Sequence, residues 1–277
     1  MSTPTERRRQ IVKDIEILGD NVVPRLSRKY GVSEMTIRRD LKALEEHGVI
    51  KRTYGGAVRW PASVPETQLL ARDKRQTLAT TQKNLLARYA AEALVAPDDI
   101  IIMEGGTTVT AMAPYLTEKE ELTVVTNGIA TAEELRRHLP LSATIISTGG
   151  ILRPESSTCV GAVPERFFGE FHANRLFLSA TGLTLEAGLT DPKILEIQVK
   201  RARAQAAREV ILLLDSSKFG VRAMMRMLDL EAIHTLVTDD GAPMAIIEAL
   251  RARHRRRPAP DSLRCRAPGY PDDRAER

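Results

Sequence analysis

Residues 32–58 read VSEMTIRRDLKALEEHGVIKRTYGGAV, and the spacing within this stretch decides the fold at the front of the chain. At roughly 100° per residue, Ile37, Leu41 and Leu44 fall in one narrow sector of a helix and face a small core. The opposite side presents Met35, Thr36, Arg39 and Lys42, with Arg38 on the flank. Ser33 is placed to cap the helix at its start and Gly48 to close it. VIKRTYGGAV then reads as a short β-hairpin in which Gly55 and Gly56 let the chain reverse. A charged helix face is by default a solvated face, and a small protein-binding bundle is the alternative reading.

The flanking residues favour a DNA reader. Glu6–Leu18 carries Ile11, Ile15 and Leu18 at helical spacing, Gly19–Asn21 breaks it, and Val22–Tyr30 forms a second short helix with Pro24 in its first turn. Two helices, a tight turn, a third helix and a hairpin make a winged helix-turn-helix, whose third helix offers donors to bases and phosphates in a major groove. The expected DNA-binding residues are Ser33, Met35, Thr36, Arg38, Arg39 and Lys42, with Lys51 and Arg52 on the wing. Charge agrees: residues 1–60 hold 13 Lys/Arg against 8 Asp/Glu, whereas residues 61–250 hold 19 against 24. A basic head on an acidic body points to a polyanionic partner for the head.

Behind the head, residues 59–75 read as a linker, with two prolines and no clear stripe. From 76 to 252 short apolar runs alternate with helical segments. The runs are DIIIM (Asp99–Met103), LTVVTN (Leu122–Asn127), ATIISTGG (Ala143–Gly150), RLFLSAT (Arg175–Thr181), VILLLD (Val210–Asp215) and HTLVTDD (His234–Asp240). Helices are expected at Thr107–Leu116, Ile129–His138, Pro192–Arg208 and Ala242–Arg253. This alternation predicts an α/β domain with a mainly parallel sheet, and binding loops at the edge where the strands end. Residues 253–277, rich in Arg and Pro, read as a disordered basic tail.

The N-terminus lacks the apolar core of a signal peptide, and no apolar run approaches a membrane span, so the cytoplasm is the expected location. Cys159 and Cys265 lie far apart with no Cys/His cluster, so neither a metal nor a cofactor is expected.

The stretch ERRRQI…GVSEMTIRRDLKALEEHGVIKRTYGGAV closely resembles the N-terminal signature of DeoR-family transcriptional regulators, through VS-x-x-TIRRDL-x-x-L and the terminal GGAV. The resemblance continues to about residue 252 through EGGTT (Glu104–Thr108), VVTN (Val124–Asn127), STGG (Ser147–Gly150), VG (Val160–Gly161), ATGLTLEAGLT (Ala180–Thr190) and DSSKFG (Asp215–Gly220). It implies an effector domain similar to the ribose-5-phosphate isomerase fold that senses a phosphorylated sugar. The reading is of a regulator that binds double-stranded operator DNA and represses a carbohydrate-utilisation operon, and because a single small head has few base contacts, a homo-oligomer, dimer or tetramer, on repeated half-sites is expected. Glu104 stands where the family more often has Asp.

A sugar phosphate needs amides, hydroxyls and a cation for its phosphate, and carboxylate or amide acceptors for its hydroxyls. The expected effector-binding residues are Glu104, Gly105, Gly106, Thr107, Thr108, Asn127, Gly149, Gly150 and Lys218, with Gly105 and Gly106 admitting the ligand to the backbone and Thr107 opening a helix. The competing class is an isomerase carrying a DNA-binding head, which needs a positioned base. The isomerase's acid-rich loop corresponds to Leu178–Thr184, which here holds no carboxylate, so no catalytic residue is expected.

Overall fold

The computed structural model describes residues 6–8, 10–11, 14–15, 22–46, 50–53, 56–59, 72–254 and 264–266. The chain forms two compact units, Met1–Ser63 and Val64–Arg277.

In the first unit, residues 6–8, 10–11 and 14–15 are helical, followed by α1 (Val22–Tyr30), α2 (Glu34–Glu46) and an antiparallel hairpin of β1 (Ile50–Thr53) and β2 (Gly56–Arg59). Ile11, Ile15, Val23, Leu26, Ile37, Leu41 and Leu44 are buried together and form its core. Two buried carboxylates tie the helices. Asp40 on α2 accepts Nε of Arg7 at 2.7 Å and Nε of Arg8 at 2.9 Å. Asp14 accepts Lys29 Nζ and Tyr30 OH, each at 2.6 Å. A carboxylate this buried stays folded in only when paired, so these contacts set helix register as well as adding contact energy.

The second unit opens with α3 (Arg72–Gln76) and α4 (Thr80–Leu94), then β3 (Ile100–Met103), the single turn α5 (Thr107–Thr110), β4 (Thr123–Thr126), α6 (Ile129–His138) and β5 (Thr144–Ser147). A hairpin of β6 (Ile151–Arg153) and β7 (Thr158–Val160) leads to α7 (Ala162–Glu170) and β8 (Ala173–Leu178). There follow β9 (Gly182–Thr184), β10 (Gly188–Asp191), α8 (Ile194–Ala206), β11 (Ala207–Leu213), β12 (Met225–Leu228), β13 (Thr235–Val237), α9 (Met244–His254) and β14 (Arg264–Arg266).

Seven strands form one sheet in the order β14-β13-β11-β8-β3-β4-β5, and every pairing in it is parallel. Each face is covered. Ile101, Met103, Phe177, Ile211 and Leu213 pack with Leu86, Ala90 and Leu135 from α4 and α6. Their neighbours in sequence, Ile102, Leu176, Leu178, Val210 and Leu212, pack with Phe168, Ile197 and Leu250 from α7, α8 and α9. Burial on both faces explains why these strands are continuous apolar runs rather than alternating ones.

From β3 the chain steps outward through β4 to β5, then returns to β8 on the other side of β3 and proceeds to β11 and β13. The connections leaving the carboxyl ends of β3 and β8 therefore run in opposite directions, which makes the topological switch point where such sheets hold ligands. A small antiparallel sheet, β12-β10-β9, stands beside it.

Four expectations need correction. The helix anticipated over Thr107–Leu116 is one α-turn followed by a 3-10 turn at Ala113–Tyr115, because Pro114 removes an amide donor from the continuing ladder. The linker anticipated over 59–75 ends earlier: Arg72 is buried in the second unit, its amide donating to Glu155 O at 2.8 Å. The last helix reaches His254. The tail anticipated as disordered contains β14, which pairs in parallel with β13 through Thr235↔Arg264 and Val237↔Arg266. The remaining expectations for the tail, for residues 60–71 and for Gly55 fall outside the described residues.

Candidate functional site

On α2 the two faces separate as the spacing requires. Ile37, Asp40, Leu41 and Leu44 are buried, whereas Met35, Arg38, Arg39 and Lys42 are exposed. Ser33 Oγ accepts the Thr36 amide at 3.2 Å and lies 2.9 Å from Thr36 Oγ1, so the helix start is capped. Arg38 leans 3.4 Å from Glu34 one turn back, an exposed pair of little energetic weight that a phosphate can displace. Lys51 and Arg52 lie on β1, opposite Val58 and Ala57. The unit thus presents an exposed cationic helix face, held by a buried apolar stripe and next in sequence to a short hairpin.

The second site is a cavity of about 410 Å³ at the carboxyl ends of the parallel strands. Glu104 follows β3, Asn127 follows β4, Ser179–Thr181 follow β8, and Asp215, Ser217 and Lys218 follow β11; all line it. The Glu104 amide donates to Phe177 O at 3.0 Å, which joins the two strands at the cavity floor.

Of the residues expected there, Glu104, Gly105, Gly106, Thr107, Thr108, Asn127 and Lys218 line the cavity, and Gly149 and Gly150 do not. Those two glycines follow β5, the edge strand, and turn the chain into β6. A side chain on Gly150 would meet Val160 O at 2.9 Å at a φ of +119°, so the turn requires glycine for its own geometry. Gly105 serves the same kind of purpose. A Cβ there would sit 2.5 Å from Thr158 Cγ2 and 3.0 Å from Gly128 Cα, so packing against protein already requires glycine. The α5 turn is too short to supply a helix dipole.

Helices α3, α4 and α8 contribute what the sequence reading missed: Arg75, Lys83, Lys193, Glu196, Lys200 and Arg203. Asp191 at the end of β10 lines the cavity as well. Lys200 Nζ lies 2.8 Å from Glu104 Oε1 and 2.8 Å from Asp191 Oδ2. Glu104 Oε2 accepts the Ser179 amide at 2.7 Å, and Arg203 NH2 stands 3.6 Å from Glu104 Oε1. Arg203 NH1 donates to Asn127 Oδ1 at 2.8 Å, while Asn127 Nδ2 donates to Cys159 O at 2.7 Å. This end of the cavity is a closely paired polar lattice in which, among these described residues, only Arg203 Nε is buried without a hydrogen-bond partner.

Burial alone would raise the Glu104 carboxyl, but Lys200, Arg203 and the Ser179 amide hold it below its ordinary value. Asp191 behaves likewise: burial raises it, and Lys200 and Lys193 bring it below. The other end is cationic. Burial lowers Lys218 despite Asp215 nearby, with Arg75 adding repulsion. Lys83 falls to about 8, through burial first and then the charge of Lys218.

Two family models match the chain, one over each unit. The DeoR-like helix-turn-helix domain model matches residues 7–61, and the DeoR C terminal sensor domain model matches residues 78–240. The chain belongs to the DeoR family. A similar protein is the "HTH-type transcriptional regulator GolR" of Listeria innocua, 37% identical over 88% of this chain and 93% of its own length. Another is the "Putative aga operon transcriptional repressor" of Escherichia coli O157:H7, 32% identical over 89% and 90%. A third is the "HTH-type transcriptional regulator GlpR" of Haloferax volcanii, 34% identical over 85% and 90%. This DeoR-family chain is a DNA-binding transcriptional regulator.

Among solved structures, ribose 5 phosphate isomerase A from Neisseria gonorrhoeae aligns with 50% of this chain and 52% of its own at a TM-score of 0.34 and 16% identity. A likeness that remote carries no argument, and the α/β class rests on the parallel sheet itself. Among the described residues no helix is long and apolar enough to cross a membrane.

Proposed function

We propose that the cavity binds a phosphorylated sugar and that its occupancy alters the affinity of the head for operator DNA. One observation carries this reading: a cavity at the strand ends brings a half-buried amine, Lys218, and the buried amine Lys83 together with a wall of hydrogen-bonded carboxylate and amide groups. The amines suit a phosphate, and the wall offers hydroxyl partners. About 410 Å³ accommodates a small phosphorylated sugar and is at the lower end of ligand-pocket size.

The cavity acts as a receptor rather than a catalyst. Moving a proton beside a carbonyl calls for a base whose pKa lies near the working pH. The cavity holds carboxylates outside Leu178–Thr184, yet Glu104 and Asp191 are clamped by cations and held low, which makes them poor bases. Glu196 lies 3.5 Å from Lys193 and accepts from Thr158 Oγ1 at 3.2 Å. Repression of a carbohydrate operon from the cytoplasm, as a homo-oligomer on repeated half-sites, completes the reading.

A thermal-shift screen of the purified chain against phosphorylated sugars tests it, repeated with operator DNA selected in vitro by the same chain. A hit that raises the melting temperature and changes operator affinity is expected. Turnover of that hit would restore the enzyme reading.

A further inference from the structure

The cationic end of the cavity contains a residue that the family reading does not require. Arg75 stands on α3, the first described element after residues 60–71, which connect the body to the head. It lines the cavity with Lys83, Lys193 and Lys218. Its Nε is buried and has no hydrogen-bond partner, and among the described residues it makes no ion pair. Its unpartnered Nε lies beside Lys83, Lys193 and Lys218, where Asp215 offsets the amines only in part and Glu196 is engaged by Lys193, so this end is short of negative charge.

The surrounding backbone is firmly held. Arg72, one turn earlier, donates through NH1 to Gly105 O at 2.7 Å and through NH2 to Thr110 Oγ1 at 3.2 Å. Ala79, at φ 49° and ψ 39°, takes a left-handed conformation that costs about 1–2 kcal/mol without glycine and folds α4 back toward α3. Lys83 on α4 then donates its ammonium to the Arg75 carbonyl. The segment is therefore fixed to the same turn, after β3, that floors the cavity, while its guanidinium waits for an anion.

We propose that Arg75 is an effector-clasping residue: it completes the anion subsite with Lys83, Lys193 and Lys218, and through α3 it makes ligand occupancy fix the body end of the connection to the head. This rests on the anionic-effector reading above and adds to it both a contact and a route. Like charge supports it, since Arg75 is among the causes that lower Arg72, Lys83, Lys193 and Lys218. A phosphate set among these groups relieves that repulsion.

The test uses the full chain with inorganic phosphate as probe and chloride as the ionic-strength control. Phosphate affinity is measured by calorimetry, and amide exchange is followed over residues 72–79. The wild-type chain should bind phosphate and gain protection there. Arg75→Gln should bind at least roughly tenfold more weakly, the loss of one charge-assisted contact, and lose that protection. Arg75→Lys should retain part of both, and it serves as the reading if the glutamine variant melts without cooperativity. Arg75→Gln binding like wild type while Lys218→Gln loses phosphate would overturn the clasp and leave the anion site standing. Weakened binding with unchanged exchange over 72–79 would overturn the route. A wild-type chain indifferent to phosphate would overturn the anionic-effector reading itself.

Discussion

Lys83 concentrates the chemistry of the cavity in one titratable group. Burial and the facing charges of Lys218, Arg75 and Arg72, only partly offset by Asp215, lower it from an ordinary amine to about 8. Its charged form is disfavoured in the folded state, so the empty protein carries that penalty below pH 8 and sheds it as pH rises from about 8 toward the unfolded value near 10.5. Ligand binding runs the opposite way. A phosphate monoester is already dianionic above about pH 6–7, so any loss of affinity between pH 7.5 and 9.5 belongs to the protein amines. We expect phosphorylated-ligand affinity to fall across that interval, and Lys83→Arg to flatten the fall while leaving what remains to Lys218. Calorimetric titrations at pH 7, 8 and 9 check this; a flat wild-type profile removes Lys83 from the subsite. Such residues were hard to see in the sequence. Glu104, Asn127 and Lys218 follow apolar strands, and a parallel sheet gathers strand ends at one edge, so they were legible. Arg75 and Lys83 come from helices that reach the cavity sideways. Glu196, Lys200 and Arg203 left one faint signal, charges spaced four and three apart on a helix that also buries Ile197 and Val199.

At the scale of elements, α2 separates stability from recognition. Ile37 is fully buried against Ile11, Leu26 and Leu41, and Ile37→Ala should cost the head roughly 2–5 kcal/mol, a large part of what so small a unit holds. Urea unfolding followed by a signal from the head measures it. Arg39 is exposed, and Arg39→Ala should leave that unfolding curve in place while weakening specific operator binding by about 1–3 kcal/mol. If the two variants exchanged these effects, the helix would face the other way. The stripe was readable because a 3.6-residue period survives in 13 residues. The parallel strands were readable because burial on both faces makes them uninterrupted apolar runs. The three-residue strand Gly182–Thr184 of the small antiparallel sheet and the separate hairpin Ile151–Val160 are too short to carry a period, so neither left a mark. Gly149 and Gly150 misled for a geometric reason: they do end a strand, but the edge strand β5 lies two places from the β3/β8 switch point.

For the whole molecule, the proposed receptor and the DNA reader on one chain would be coupled by a free energy that works in both directions. If the effector changes operator affinity by some factor, saturating operator must change effector affinity by the same factor, typically 5- to 150-fold. The sign, release or activation, is free; the equality is not. Operator affinity itself should fall steeply with salt, because the exposed cations of α2 neutralise phosphates and release counterions. Both titrations are therefore run at one fixed ionic strength. Lys218→Ala should leave operator binding in the absence of effector at its wild-type value, because the residue lies in the second unit while the basic helix lies in the first. It should reduce both coupling factors toward one. Fluorescence anisotropy with labelled operator, with and without a screened phosphorylated sugar, gives the first factor, and calorimetry of that sugar with and without operator gives the second. Coupling that persists in Lys218→Ala would place the sensing chemistry elsewhere than this cavity, and the assignment of its amines to the effector phosphate would fall.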